Sequence, residues 1–419
     1  MVVAVAAVVE EEEAAAVVVR VREYDGGRDR GGVEEVEREC EVGSSGGGSG
    51  KMCLFTDLLG DPLCRIRNSP AYLMLVAEIA TGTGTGSGGG GGRGTRIVGL
   101  VRGCVKSVVS GSSHGKDPIY TKVAYILGLR VCPTHRRKGV GKKLVERMEE
   151  WFRQTGAEYS YMATEQDNEA SVQLFTGRCG YAKFRTPSVL VHPVFRHALG
   201  LSRRVSIVKL EPRDAERLYR WHFAAVEFFP DDIDAVLSNA LSLGTFVAVP
   251  AGTRWDGDVE AFIASPPASW AVLSVWNCMD AFRLEVRGAP RVMRAAAGAT
   301  RMVDRAVPWL GIPSIPNVFR PFGLYFLYGL GGAGPGAPRM VRALCRHAHN
   351  MARRGGCGVV ATEVVACEPV RTGVPHWARL GAEDLWCMKR LADGYTHGTL
   401  GDWTKATPGR SIFVDPREF

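Results

Sequence analysis

Arg136, Gly139 and Gly141 form an R-x-x-G-x-G loop that follows an apolar strand pattern and opens an amphipathic helix pattern. These residue types at this spacing suit the binding of a phosphate-rich anion. Glycine lets the backbone bend tightly and approach a ligand, and the first helical turn leaves N–H groups without intrahelical partners. No Ser, Thr, Asp or Asn stands at the helix start to cap them, so they stay free for an anion that the helix dipole also favours. Between Arg130 and Arg147 there are seven basic residues against one acid, Glu146. Two commoner glycine motifs fail. A dinucleotide fingerprint would place a third glycine at Leu144, and the one P-loop-like site, Gly50-Lys51, has Ser45 and Met52 where that motif needs glycine and a hydroxyl residue.

A second block follows. After the strand pattern Tyr159 to Thr164 come Asn168, Ala170, Leu174, Phe175, Gly180 and Tyr181, in the order N-x-A-x-x-x-L-[YF]-x-x-x-x-G-[YF]. Together the two blocks, from about Ala124 to Val191, resemble the acetyl-coenzyme A site of the GCN5-related N-acetyltransferase (GNAT) superfamily. The wording around the loop, the phrase TEQDNEAS and the long C-terminal extension resemble the hookless-type N-acetyltransferases of plants. The resemblance implies a mixed α/β GNAT acyl-CoA N-acyltransferase fold, acetyl-CoA as cofactor, and direct acetyl transfer to an amine. The acceptor would be a protein, a histone or chromatin partner among them, or a small molecule. It also implies a role in plant growth and hormone response and residence in the nucleus or cytoplasm, none of which any residue demonstrates.

Carried over residue by residue, the resemblance gives backbone groups of Leu129 and Val131 to the pantetheine arm. The amides of Arg137, Lys138, Gly139, Val140 and Gly141 go to the pyrophosphate. Arg136, Arg137, Lys138 and Lys142 can add charge-assisted bonds to phosphate oxygens, or be solvated. Asn168 and Ser171 either lie beside the pantetheine or cap the next helix. Phe175 stands where many relatives have a tyrosine that protonates the leaving thiolate, and Phe cannot donate a proton. The strand before the loop lacks the carboxylate that serves as base in histone-acetylating relatives. Glu165, at the end of the following strand, is the best candidate base, ahead of Glu78 and Tyr125. The missing acid and base leave a second reading open, a GNAT-fold regulatory protein that acts through partners.

The elements that must position these groups read as follows. Val17 to Tyr24 alternates as a strand, and Val33, Val36 and Cys40 space at helical intervals. Tyr72–Ala80, Arg96–Ser110 and Tyr120–Val131 are strands. Leu144, Met148, Trp151 and Phe152 form one stripe of the helix after the loop, and Gly156 is its expected stop. The order β-α-α-β-β-β-α-β-α-β emerges for residues 17–200, with glycine-rich insertions at 43–50 and 81–95. Residues 1–16 read as a leader.

From Ser206 a similar pattern begins again. Ala361-Thr362-Glu363 repeats Ala163-Thr164-Glu165 at an offset of 363 − 165 = 198, and Gly381 follows Gly180 at 381 − 180 = 201. A strand, glycine loop and helix carrying Met340, Leu344, His347 and Met351 lie between the same landmarks. This loop has no Arg or Lys between Gly329 and Pro338, and Pro335 and Pro338 remove N–H donors. Residues 206–392 therefore read as a degenerate second GNAT-like domain in tandem, and 393–419 as a tail.

Composition bounds the rest. At 419 residues the chain suits two domains. No stretch nears the roughly 18 apolar residues that cross a bilayer, and the opening MVVAVAAVV lacks a basic n-region, so neither membrane residence nor secretion is expected. Eleven cysteines without a C-x-x-C argue against a disulfide framework or zinc site. His347 and His349 are two apart on a helix and do not face together, so no metal is expected. Direct DNA binding is not expected either: the net charge is +8, but the densest basic cluster already has its phosphate ligand and no other basic stripe interleaves aromatics.

Overall fold

Two successive runs of β-rich, glycine-punctuated sequence build one continuous sheet. The computed structural model describes residues 18–40, 52–80, 94–114, 117–253, 257–392 and 402–419. The expected leader, the 43–50 insertion and residues 81–93 of the other insertion lie outside them. The first half contains β1 (Val19–Glu23), α1 (Arg30–Glu39), β2 (Cys53–Asp57), β3 (Ala71–Ala80), β4 (Thr95–His114) and β5 (Asp117–Val131). It continues with α2 (Val140–Gln154), β6 (Tyr159–Glu165), α3 (Glu169–Arg178), β7 (Ala182–Arg185) and β8 (Ser188–Pro193). The second half runs β9 (Val205–Leu210), α4 (Pro212–His222), α5 (Ile233–Leu237), β10 (Ser242–Pro250), α6 (Val259–Ala264) and β11 (Trp270–Asn277). Then come β12 (Arg283–Arg287), α7 (Arg291–Ala306), β13 (Leu324–Ala333), α8 (Ala337–Gly355), β14 (Val359–Val364) and β15 (Ala382–Arg390).

The sheet order is β1-β3-β4-β5-β6-β15-β8-β14-β13-β11-β10-β9, with β7 also on β15. Each half thus lends its last strand to the other: β15 pairs antiparallel with β6, and β8 pairs antiparallel with β14. Residues 194–204 link β8 to β9, and neither half completes its sheet alone.

Helix α2 forms because its stripe Val140, Leu144, Val145, Met148 and Phe152 is wholly buried, worth about 1.5–3 kcal/mol for each large side chain. Met148 and Phe152 seat on Gly103 of β4, where an added Cβ would lie 2.6 Å from the sulfur and 2.8 Å from the ring. Thr155 and Gly156, at φ +82°, end the helix as expected. Side chains alternate across a strand, so Arg102, Cys104 and Lys106 of β4 point to the opposite face, which α1 covers.

Two expectations fail. Among the described residues no second helix follows α1; Cys53–Asp57 is a strand paired with β12 of the other half, a partner that local periodicity cannot reveal. Nor is the C-terminal segment a loose tail. From Asp402 onward it lies along the face opposite α2, with Trp403, Phe413 and Asp415 buried. Trp403 packs on Phe184 and Phe228, Phe413 on Tyr219 and Phe229, and Phe419 stacks on Phe326 at 4.1 Å. Lys106, with its side chain 2% exposed, holds Asp415 at 3.0 Å and Glu418 at 2.7 Å.

Candidate active site

The site begins where two parallel neighbours part. β5 and β6 pair only from Val123–Tyr159 to Ile126–Met162. Beyond Ile126, β5 bulges: Gly128 adopts φ +61° and the register with β4 shifts between Leu100 and Arg102. β6 stays with β15, so β5 peels away and a wedge opens between the strand ends. The carbonyl of Leu129 accepts from Arg130 Nη1 at 3.2 Å. That of Val131 accepts from Cys40 Sγ and Arg136 Nε, each at 3.2 Å. An arm lying along β5 would share or replace these side-chain bonds.

The loop continues from that edge. Arg136 is extended, Arg137 is left-handed at φ +60°, and Gly139 is left-handed at φ +80°. A non-glycine residue in that region costs on the order of 1–2 kcal/mol, a strain the sequence does not announce. Gly139 is the N-cap of α2, and no side chain caps the helix. None of the described hydrogen bonds uses the N–H groups of Arg137 to Lys142. Arg136, Arg137, Lys138, Lys142 and Lys143 are exposed. Lys142 is tied to Glu146 at 3.4 Å, whereas among the described residues Arg137, Lys138 and Lys143 make no ion pair. Left-handed turns that aim successive N–H groups outward, next to a helix N-terminus, form an anion cradle. An added Cβ at Gly139 would meet nothing within 4 Å, so the space above the loop is open. A pyrophosphate fits this donor set, and the residues present therefore suit coenzyme A.

On the far side of the wedge, Asn168 caps α3, its side chain accepting from Ser171 N at 3.3 Å. Between the two readings of Asn168, the geometry supplies the cap. Leu174 lies under Gly141, 3.3 Å from an added Cβ, with Val131 and Leu129 beside it; these half-buried groups give the wedge an apolar lining. Phe175 is turned into the core, 1% exposed, its ring edge-on to Tyr181 at 5.1 Å. It serves packing in this structure and does not reach the open side of the wedge.

At the apex and on the face opposite α2, Tyr125 packs on Tyr161 at 4.8 Å, and Tyr161 donates to Glu418 at 2.6 Å. Glu165 ends β6 on that same face by strand alternation. Partial burial and the neighbouring Asp167 hold its carboxyl above the usual range. Directly across the strand pair lies Asp384 of β15; burial, then Glu165 and Glu383, push its carboxyl up to about 6. Glu363 of β14 is 8% exposed and accepts from Trp386 Nε1 at 2.9 Å. Burial, with Asp384 adding to it, pushes that carboxyl up to about 8. Asp384 and Glu363 could not be found from sequence, because only strand exchange brings them to β6. Glu78, in contrast, is bound by Arg22 at 2.7 Å on the outer strand pair. Cys132 and Cys179 are buried free thiols; burial pushes them up to about 12 and about 11, away from reactive thiolates. Among the described residues no His, Cys, Asp and Glu group is arranged to hold a metal ion.

The second half repeats this scaffold and closes it. β13 and β14 pair in parallel only from Leu324–Val359 to Phe326–Ala361. Gly329 supplies a bulge at φ +58°, at an offset from Gly128 of 329 − 128 = 201. Here Thr362 Oγ1 donates to the Leu327 carbonyl at 2.8 Å across the gap. Two amides of this region are taken: Gly332 N–H donates to His222 Nε2 at 3.2 Å and Gly336 N–H to Ser269 Oγ at 3.0 Å. Among the described residues no α-helix follows β14 where α3 follows β6.

Comparisons with known proteins agree with this geometry. The sequence model of the Acetyltransferase (GNAT) family matches residues 88–181. The Arabidopsis thaliana protein named "Probable N-acetyltransferase HLS1-like" is 60% identical over 425 residues, covering 96% of this chain and 99% of that protein. The Oryza sativa subsp. japonica protein "Acetyl transferase GW6a" is 42% identical, over 96% of this chain and 98% of its own length. Among solved structures, Saccharomyces cerevisiae N-myristoyltransferase with bound myristoyl-CoA aligns over 89% of this chain and 79% of its own. Its TM-score of 0.52 at 9% identity shows a shared fold alone. With relatives this similar over nearly their full length, and with the loop and wedge in place, the chain belongs to the hookless-type N-acetyltransferases of the GNAT family.

Proposed function

We propose that this protein transfers an acetyl group from acetyl-coenzyme A directly to an amine of a protein, histones included, or of a small molecule. The observation that carries the reading is the row of uncommitted N–H groups from Arg137 to Lys142 at the mouth of the β5–β6 wedge. The pyrophosphate would bind those amides and the side chains of Arg136, Arg137 and Lys138. The pantetheine would lie against Leu129, Val131 and Leu174, near Asn168 and Ser171. Acetyl-coenzyme A would supply the activated thioester. The amine nitrogen attacks the carbonyl carbon, the carbon–sulfur bond breaks, and the thiolate takes up a proton as the amine loses one. Glu165, its affinity for protons raised, is the proposed acceptor of the amine proton, with Asp384 across from it. We read residues 17–200 as the domain that binds the cofactor and 206–392 as a degenerate partner whose strand β15 completes the sheet. A part in plant growth control, in the nucleus or cytoplasm, rests on the hookless-type resemblance alone.

A regulatory protein without catalysis is the second reading, favoured by Phe175 in the core and by the absence of a carboxylate from Val123 to Val131 of β5. Thermal unfolding with and without coenzyme A, followed by acetyl-CoA consumption over histone peptides, polyamines and small amines, separates the two. Stabilisation with turnover supports the enzyme; stabilisation without turnover on any acceptor supports the regulator. No stabilisation at millimolar coenzyme A removes the enzyme and leaves a regulator that does without the cofactor.

A further inference from the structure

On the α1 side of the face opposite α2, three guanidinium groups gather around one carboxylate. Arg102 of β4, with its side chain 3% exposed, sits beneath the β5 bulge, its Nη1 2.7 Å from where a Cβ on Gly128 would be. It pairs with Glu37 of α1 at 2.8 Å and donates from Nε to the Pro62 carbonyl at 2.6 Å. Arg130 lies 3.5 Å from the same Glu37 and donates to the Leu129 carbonyl. Arg65 reaches the Glu418 carbonyl at 3.4 Å and the Phe282 ring at 5.5 Å, and among the described residues it has no carboxylate partner. The Nε of Arg65 and the Nη2 of Arg102 are buried without a hydrogen-bond partner. Burial works to raise the Glu37 carboxyl, but Arg102, Arg130 and Arg65 together hold it below the usual range. Burial likewise lowers the Arg65 guanidinium, Arg102 and Arg130 adding their repulsion. Three guanidinium groups thus share one carboxylate, and the side chain of Glu418 is already committed to Lys106 and Tyr161. Leaving a buried cation unpaired is costly, which favours an anion arriving from outside. Arg130, 24% exposed at its side chain, forms the outer edge of the cluster, and the unpartnered Arg65 Nε and Arg102 Nη2 lie buried behind it, so an anion would enter past Arg130.

Resting on the acetyl-transfer reading above, we infer that the acceptor amine carries a carboxylate, which docks on Arg65, Arg102 and Arg130 beside Tyr125 at the apex of the wedge. A lysine-rich histone tail would meet these three guanidinium groups with like charge.

The test uses the full chain, labelled with nitrogen-15 arginine and saturated with coenzyme A, and follows the Arg65 Nε–Hε resonance, assigned by its loss in Arg65→Lys. The probes are 4-aminobutyrate, putrescine and a lysine-rich histone-tail peptide. The expected result is a saturable shift with 4-aminobutyrate, at least about tenfold tighter than with putrescine, as one charge-assisted hydrogen bond supports. Arg130→Gln should weaken it. No carboxylate-dependent shift, or tighter binding of the histone peptide, overturns the inference while the cofactor reading stands. Absence of coenzyme A stabilisation in the same sample overturns the cofactor reading itself.

Discussion

Gly139 offers a way to separate charge from shape in the loop. It is exposed, left-handed at φ +80°, and an added Cβ there would touch nothing within 4 Å. Asn tolerates that backbone region and is isosteric with Asp, so Gly139→Asn and Gly139→Asp differ in one unit of charge and little else. A carboxylate about 5 Å from a pyrophosphate bearing about two charges loses 332 × 2/(80 × 5), or about 1.7 kcal/mol, in a water-like dielectric and about twice that at half the dielectric. The Asp variant should therefore bind coenzyme A about 15-fold to about 300-fold more weakly than the Asn variant. Isothermal titration at low salt measures the ratio, and raising the salt should shrink it. Equal affinity for the two variants would show that the pyrophosphate does not lie over Gly139.

Three further outcomes follow from the geometry. Lys106→Met leaves Asp415 and Glu418 without their shared cation, which should cost about 3–5 kcal/mol and lower the melting temperature of a chain this long by roughly 4 °C; an unchanged melting point would mean the C-terminal segment is held by its aromatic contacts alone. Asp384 binds its proton more tightly folded than unfolded, with its carboxyl raised from 3.8 to about 6. Its contribution to stability is present below pH 4 and lost as pH rises through about 6, on the order of 3 kcal/mol. Asp384→Asn should remove that loss, so melting curves of the variant and parent at pH 4.5 and 7.5 should diverge only at the higher pH. Asn168→Ala should cost about 1 kcal/mol as a lost cap with coenzyme A affinity unchanged; a tenfold loss of affinity would make Asn168 a cofactor contact as well.

The loop, its helix and the block from Asn168 to Tyr181 were legible because their information is local. Glycine spacing, the uncapped helix start and the Val140–Phe152 stripe all lie within a few turns of chain, and the structure has each where the pattern puts it. The left-handed Arg137 was not legible, since nothing distinguishes it from its basic neighbours in sequence. Phe175 was read by analogy with a position in other proteins, and burial against Tyr181 gives it a packing role instead. The exchange of β8 and β15, the β2–β12 ribbon and the burial of residues 402–419 depend on contacts between distant segments. That is also why Asp384, Glu363 and the Arg65 cluster came only from the structure. The repeat offset of 201 was visible at Gly180 and Gly381, and the bulge glycines Gly128 and Gly329 extend it to a position whose backbone conformation gives the spacing a cause.

The central claim is that the Arg136–Gly141 loop is the chain's competent coenzyme A site and that its counterpart after Gly329 is not. Calorimetric titration of the intact protein with coenzyme A tests this most directly. One site per chain is predicted, bound at least about tenfold more weakly by Gly139→Asp than by Gly139→Asn and untouched by substitutions in the Gly332–Gly336 loop. No binding at millimolar coenzyme A, two sites per chain, or a single site with equal affinity in the Asp and Asn variants would contradict it.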